Sequence, residues 1–280
     1  MKSAKQMVFI GIGAAMILLG VGLIFMKKSN DTVRGVSSKG ESGSEVFSTP
    51  ITSLVFEAGA CNVEILTGEG EDFLLEYEGL KYGTLTHSVQ EEALKISFKQ
   101  DNNWTAKMFV EKDINDQKIT LTVPEDAILD SALFEFGAAE VRMDQVATKE
   151  LYLTVGAGTL HAKGLTATEL AKLNVGAGAF YADNVSLTNA ELVCGVGEME
   201  ISGLIDGEST ADCGVGSMLL TMDGEQEHYY GELNCGLGEI DFGDISIEGS
   251  GRKSYGTSSA ERRMDIKCGI GEVDVRFYHN

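Results

Sequence analysis

The chain repeats a pattern in which apolar and polar residues alternate on both sides of a Gly-x-Gly motif. Apolar residues fall at every second position before the motif, as in Leu151, Leu153 and Val155, and the alternation resumes after it with Leu160 and Ala162. A period of two indicates half-buried β-strands. Each copy of the pattern is therefore expected to form a strand, a corner and a second strand.

The motif recurs about every 20 residues. Six tight copies carry the corner glycines, which are Gly156, Gly158, Gly176, Gly178, Gly195, Gly197, Gly214, Gly216, Gly236, Gly238, Gly269 and Gly271. Their first glycines are 20, 19, 19, 22 and 33 residues apart, a spacing typical of a stacked repeat. Looser copies lie at residues 56–63 and 134–141.

One copy cannot bury its own apolar face, so the copies are expected to stack with equivalent strands paired in parallel, about 4.8 Å apart. The sequence predicts an all-β fold, a single-stranded parallel β-helix (β-solenoid) with about 20 residues per coil. The corner glycines are expected where the backbone needs positive φ or close approach. A strand follows the motif rather than a helix, which argues against a nucleotide-binding fingerprint.

Four regions are predicted along the chain. They are an N-terminal transmembrane anchor at 1–28, a flexible linker at 29–50, an N-terminal β region with the first coil at 51–130, and regular repeats at 131–280. The anchor rests on residues 7–26, which hold no charge and would span roughly 30 Å as a helix. A loop insertion is expected at 244–261, and residues 262–277 are expected to form the end cap.

The charges beside the anchor do not decide its orientation. Lys2 and Lys5 precede the apolar run, whereas Lys27, Lys28 and Arg34 follow it. Because positive residues favour the cytoplasmic side, this balance leans towards a cytoplasmic location for the bulk of the chain.

Four of the five cysteines occupy one position of the repeat. This cysteine column comprises Cys194, Cys213, Cys235 and Cys268. A metal or redox ladder is one interpretation, but the same position holds Val155 and Val175, and free Cys often packs as a small apolar residue. Rungs about 4.8 Å apart are also wide for a disulfide. We therefore favour a buried core column, and Cys61 lies elsewhere in the repeat.

Acidic residues recur at outward positions after the corners. They are Glu140, Glu198, Glu239 and Glu272, with Glu200, Asp241 and Asp274 two residues further on. Stacked carboxylates repel one another, so Ca²⁺ could bridge them. Because Thr159 and Ser217 interrupt the column, a solvated acidic face is the favoured interpretation.

The overall charge excludes one class of partner. Without residues 1–28 the chain holds 18 basic and 43 acidic residues, a net charge of −25, so no nucleic-acid partner is expected. The candidate partner-binding residues for an anionic ligand are Arg252, Lys253, Arg262 and Arg263. The alternative is scattered solubilising charge.

No pattern of catalytic residues is present. The four histidines are dispersed, and neither G-x-S-x-G, HExxH nor a P-loop occurs. We therefore predict no catalytic, cofactor-binding or metal-ligating residues, no cofactor and no enzymatic activity. An acidic pair on one solenoid face, such as Glu200 and Asp241, would be needed for a carbohydrate-active enzyme.

The anchor, the opening segment Ile51–Ile65, the strand that ends at Pro124 and the serial coils resemble the bacterial putative-adhesin domain family of unknown function. The resemblance covers roughly residues 45–278. It implies a β-solenoid facing outward from a bacterial membrane, and the family includes membrane-anchored proteins encoded beside envelope-stress systems. The basic flank of the anchor and the cysteine column depart from that pattern.

These observations together predict a non-enzymatic, single-pass membrane protein of the cell envelope whose bulk is extracytoplasmic. Its adhesin-like domain would bind or scaffold an unidentified protein or envelope polymer. One alternative is an accessory or sensory subunit of an envelope-stress signalling system, and a carbohydrate-active β-helix enzyme is a third.

Overall fold

The computed structural model describes residues 34–37, 41–80, 82–100 and 117–278. These residues form an all-β structure of 24 strands with one 3₁₀ turn at Gln226–His228, which confirms the predicted class. Within these ranges no helix has the length and apolar character to cross a membrane. The predicted anchor at 1–28 and the first part of the linker lie outside the described residues.

The first twelve strands are β1 Arg34–Ser37, β2 Glu41–Phe47, β3 Ser53–Ala58, β4 Asn62–Gly68, β5 Phe73–Leu80, β6 Gly83–Gln90, β7 Ala93–Gln100, β8 Lys118–Pro124, β9 Ile128–Phe136, β10 Glu140–Met143, β11 Val146–Val155 and β12 Thr159–Lys163. The second twelve are β13 Leu165–Val175, β14 Ala179–Thr188, β15 Ala190–Cys194, β16 Glu198–Asp206, β17 Glu208–Cys213, β18 Ser217–Asp223, β19 Tyr229–Cys235, β20 Glu239–Phe242, β21 Ile245–Glu248, β22 Gly251–Tyr255, β23 Arg262–Cys268 and β24 Glu272–Tyr278.

Nine strand pairs form the coils of a solenoid-like stack, in which each strand pairs in parallel with its equivalent in the next coil. The order along the stack is β7–β8, β3–β4, β9–β10, β11–β12, β13–β14, β15–β16, β17–β18, β23–β24 and β19–β20. A corner separates the two strands of every central coil.

Equivalent residues lie above one another, as the repeat predicted. Val155 pairs with Val175, Val175 with Cys194, and Cys194 with Cys213. All four side chains are buried. Because strand side chains alternate between faces, the residues between them point outward, and the inward columns form one continuous core between the strands.

The order of coils differs from the order of the sequence at both ends of the stack. The last coil, β23–β24, lies between β17–β18 and β19–β20, so the expectation that residues 262–277 form the end cap was wrong. At the other end, β3–β4 lies between β7–β8 and β9–β10. Copies of one motif offer each other equivalent edges, and the pattern alone therefore does not fix their order.

Antiparallel strands cover both ends of the stack. At one end β21 pairs with β20 and β22 with β19. At the other, β5 and β6 pair with β8 and β7, and β2 and β1 follow them. The structure therefore departs from a purely parallel β-helix. Caps of this kind remove the open edges through which parallel stacks would aggregate.

The segment 244–261, expected as a loop, contains β21 and β22. Its Gly and Ser residues suggested a loop, but Ile245 and Ile247 pack against the core. Tyr255 is buried, with its ring centroid 4.2 Å from that of Phe242. Its hydroxyl donates a hydrogen bond to the Met264 carbonyl over 2.6 Å. Apolar residues at few positions are sufficient here because only one face of β21 and β22 is covered.

Candidate functional site

The corner glycines bring the backbones of neighbouring coils into contact. A Cβ atom built at Gly197 would lie 2.0 Å from the carbonyl oxygen of Gly178, and one built at Gly216 would lie 2.0 Å from that of Gly197. None of the twelve corner glycines has positive φ. Of the two reasons that the sequence allowed, close backbone approach is therefore the one that applies.

The middle residue of each tight corner points to solvent. In four neighbouring coils it is a large aliphatic residue, with exposed fractions of 67% for Val196, 55% for Val215, 61% for Ile270 and 75% for Leu237. The backbone N–H group of each of these residues donates a hydrogen bond to the carbonyl oxygen of the first corner glycine in the adjacent coil. This shared pattern keeps the four residues in line. They make up half of the large apolar residues that are exposed in the described part of the chain. We call this row the aliphatic ridge.

A groove of about 990 Å³ runs beside the aliphatic ridge. Its floor is the backbone at the second glycines, where no side chain fills the space. One wall is formed by the ridge, continued by Ala157 and Ala177, and the opposite wall by the residues that directly follow the corners. Those residues are Thr159, Ala179, Glu198, Ser217, Glu272 and Glu239, with Glu248 beside them. We call this feature the corner groove.

The predicted acidic column is continuous only at one end of the groove. Glu272 pairs with Glu239, which in turn faces Glu248 of the capping strand β21. Asp274 likewise pairs with Asp241. The neighbouring Asp241 carboxylate, followed by desolvation and the charges of Glu248 and Glu272, raises the pKa of Glu239. The structure therefore concentrates like charges at the end of the groove.

The remaining members of the predicted acidic column stand apart. Ser217 separates Glu198 from Glu272, Leu219 separates Glu200 from Asp274, and Glu140 pairs with Thr159. Glu198 accepts a hydrogen bond from the Tyr181 hydroxyl over 2.6 Å. Across the described ranges, no group of three or more His, Cys, Asp or Glu side chains has an arrangement that could hold a metal ion.

The cysteine column lies inside the stack in the order Cys194, Cys213, Cys268 and Cys235. All four thiols are free and buried. The hydrogen bond with Cys194 and burial raise the pKa of the Cys213 thiol, and burial raises that of Cys268 to about 12. Cys213 and Cys268 therefore stay protonated at neutral pH and are poor ligands and nucleophiles, whereas the hydrogen bond with Cys213 lowers the pKa of the Cys194 thiol. Cys61, outside the column, is also buried, and burial raises its pKa to about 12.

The four candidate basic residues fall at two places along β19. Arg252 and Lys253 lie opposite Asn234 and Leu233, whereas Arg262 and Arg263 lie opposite Tyr229 and Tyr230. The two places are four residues apart along β19, which corresponds to roughly 13 Å. The structure thus forms two pairs of cations instead of one cluster.

Each arginine of this set already faces a carboxylate. Arg252 lies 3.6 Å from Glu232, Arg262 2.9 Å from Asp206, and Arg263 2.8 Å from Asp265. Arg262 also packs over the ring of Tyr229 at 5.5 Å. Because neighbouring acids offset these charges, the potential that they offer an anion is weak.

The aliphatic ridge was missed by the sequence analysis, although the sequence carries its signal. The middle residue of the corner is Ala157 and Ala177 in the first two tight copies and then becomes Val196, Val215, Leu237 and Ile270. The signal is a large apolar residue at a corner position whose side chain must face solvent, and it would have indicated the ridge.

The chain is similar to one described family and to several solved structures. The sequence model of a family described as Toastrack DUF4097 matches residues 51–242. Similar solved structures include a putative adhesin from Bacteroides fragilis, with 16% identity, a TM-score of 0.44, and 84% of this chain and 97% of that chain covered. A putative cell adhesion protein from Clostridium sporogenes has 13% identity, a TM-score of 0.36, and 85% and 100% covered. No curated protein matches the chain.

Proposed function

Because the chain belongs to the Toastrack DUF4097 family, we propose that it is a non-enzymatic binding or scaffold protein of the bacterial cell envelope. Residues 7–26 would anchor it in the membrane as a helix, and the β-solenoid of about 20 residues per coil would face outward. The family and the putative adhesins among the similar structures support the binding role. The uncharged apolar run supports the anchor.

The aliphatic ridge is the observation that carries the binding role. Exposed apolar groups that form a continuous row on a soluble surface mark sites of interaction. The ridge stands on coils held by continuous parallel pairing and by the antiparallel caps, so it is fixed in position before a partner arrives. A pre-formed surface loses little conformational entropy on binding.

Sidedness and anchoring can be tested in intact bacterial cells. A protease site inserted between Gly249 and Ser250, at a turn where nothing lies within 4 Å of a Cβ built on Gly249, should be cleaved when protease is added from outside. A cytoplasmic protein in the same cells serves as the control for lysis. Cleavage only after lysis would contradict the outward orientation.

Removal of residues 1–28 tests the anchor separately. The full chain should sediment with membranes and resist alkaline extraction, whereas the shortened chain should be recovered in the supernatant. A shortened chain that still sediments with membranes would show that the anchor lies elsewhere.

A further inference from the structure

The corner groove has a length that can be compared with possible occupants. Its ridge wall crosses six coils, from Ala157 to Leu237, which at about 4.8 Å per coil gives a length of roughly 24 Å. The groove is open to solvent along this length. An extended chain of about seven residues spans the same distance.

The two walls of the corner groove differ in chemistry. The ridge wall offers Val196, Val215, Ile270 and Leu237, whereas the opposite wall offers Glu198, Glu239 and Glu272 with Glu248 beside them. None of the residues that line the groove is basic. An occupant must therefore cover aliphatic side chains on one side and bring positive charge to the other.

This combination excludes several occupants. A second copy placed ridge to ridge would bring together two acidic walls of a chain with a net charge of −21, and like charges at an interface are unfavourable. Anionic polymers and anionic lipid surfaces are repelled for the same reason. An extended polypeptide fits because its successive side chains point to opposite sides, which lets alternate residues meet the two walls.

We propose that the corner groove binds an extended polypeptide segment in which aliphatic residues alternate with Lys or Arg. The aliphatic side chains would pack on the ridge, and the cationic side chains would pair with Glu272, Glu239 and Glu248. This inference rests on the proposed binding function and names the class of partner. Charge complementarity would speed association, and burial of the aliphatic side chains would supply most of the affinity.

Synthetic peptides test the proposal directly on the purified full chain in a non-ionic detergent. A fluorescent ten-residue peptide that alternates Lys and Leu should bind, with an affinity that falls as salt is raised. A peptide that alternates Glu and Leu, and one that alternates Lys and Ser, should each bind at least tenfold more weakly. Equal binding of the three peptides would overturn the proposal.

Two double variants locate the binding. Ile270→Ser with Leu237→Ser removes half of the ridge, and Glu239→Gln with Glu272→Gln removes two charges of the opposite wall. Each double variant should bind the Lys–Leu peptide at least tenfold more weakly than the unchanged protein. All four positions are exposed, so neither double variant should lower the unfolding temperature, and this measurement reports that the fold is intact. Unchanged affinity in either double variant would place the binding elsewhere and overturn the proposal.

The chain offers matched controls outside the groove. Ile128 is exposed to 70%, so Ile128→Ser removes a similar apolar surface, and the exposed Glu208 allows Glu208→Gln. Neither control variant should alter the affinity for the Lys–Leu peptide.

Failure of the peptides to bind, with cleavage at residue 249 in intact cells, would reject the inference and leave the outward orientation standing. Peptide binding without that cleavage would reject the orientation alone.

Discussion

At the second glycine of each corner, a hydrogen atom occupies the place where any other residue would carry carbon. A Cβ atom at Gly178 would lie 2.2 Å from the carbonyl oxygen of Gly158, which is far inside van der Waals contact. The two coils would have to separate locally, and their parallel hydrogen bonds would lengthen. The glycine is thus required by the neighbouring coil rather than by its own backbone conformation.

Gly178→Ala should therefore destabilise the fold by about 1–3 kcal/mol, the usual range for forced overpacking. Ala177→Val, one residue earlier in the same corner, introduces a larger side chain where the equivalent residues Val196 and Val215 are exposed, and should change stability by less than about 0.5 kcal/mol. Urea unfolding of both variants measures the difference. Equal stability of the two variants would show that the corners can relax.

The carboxylates at the end of the groove predict a pH dependence. The neighbouring Asp241 carboxylate is the main cause that raises the pKa of Glu239. The Glu239 carboxyl group therefore stays protonated to a higher pH in the folded chain than in the unfolded chain. Repulsion between Glu239 and the neighbouring carboxylates destabilises the fold as the pH rises through the carboxyl range. This repulsion is relieved as the pH falls below the ordinary pKa of Glu.

Glu239→Gln should accordingly raise the unfolding temperature at pH 7 and have no effect at about pH 3, where both forms are uncharged. Glu208→Gln is the control, because Glu208 faces Arg263 across the β17–β23 pair. Its replacement should therefore not raise the unfolding temperature at either pH. Thermal unfolding at the two pH values measures both effects. An equal gain for Glu239→Gln at both values would mean that charge is not the cause.

At the scale of elements, the two antiparallel strands β21 and β22 cover an edge of the parallel stack. Without them, the backbone groups of β20 that pair with β21 and those of β19 that pair with β22 would meet solvent, and Phe242 would lose its contact with Tyr255. Exposed parallel edges recruit other strands. These two strands therefore protect the molecule from self-association as well as completing the core.

Replacement of residues 245–255 by a Gly-Ser linker of equal length should lower the unfolding temperature and produce soluble aggregates, seen by size-exclusion chromatography with light scattering. Arg252→Ser with Lys253→Ser changes exposed side chains of β22 and keeps both strands, so that variant should remain unaggregated. An unaggregated linker variant would show that the edge needs no cover.

The strands that carry tight corners could be predicted because period-two alternation and a fixed spacing are local properties. Leu153 and Leu173, for example, lie in the paired strands that the pattern indicated. The covering strand β22 could not be predicted, since it reads Gly-Arg-Lys-Ser-Tyr and buries only Tyr255. A strand that covers an edge needs few apolar residues, and its backbone pairing leaves no signature in the sequence.

At the scale of the whole molecule, the position of β23–β24 cannot be deduced from the repeat. Strand β23 pairs with both β17 and β19, and Cys268 pairs with both Cys213 and Cys235. The sequence indicates which residues of a coil align, but several coils present equivalent edges. Their order depends on the length of the connections and on the total burial, which are properties of the complete chain.

A chain that ends at Glu261 should therefore lose structure in its interior and not merely at its end. Without β23–β24 the coils β17–β18 and β19–β20 have no parallel partner between them, so amides in 208–255 should exchange rapidly with solvent. Residues 53–80, 82–100 and 117–206 should keep their protection, as should every coil of a chain that ends at Tyr278. Hydrogen exchange with mass spectrometry measures each region, and unchanged protection of β17 and β19 would contradict the order of coils.

The late insertion of β23–β24 also bears on synthesis. Translation delivers the N-terminal coils first, and they can assemble while the nascent chain grows. The gap between β18 and β20 is closed only by residues that are made after both of these strands. A nascent chain that has not yet added β23–β24 therefore keeps both of these parallel edges open.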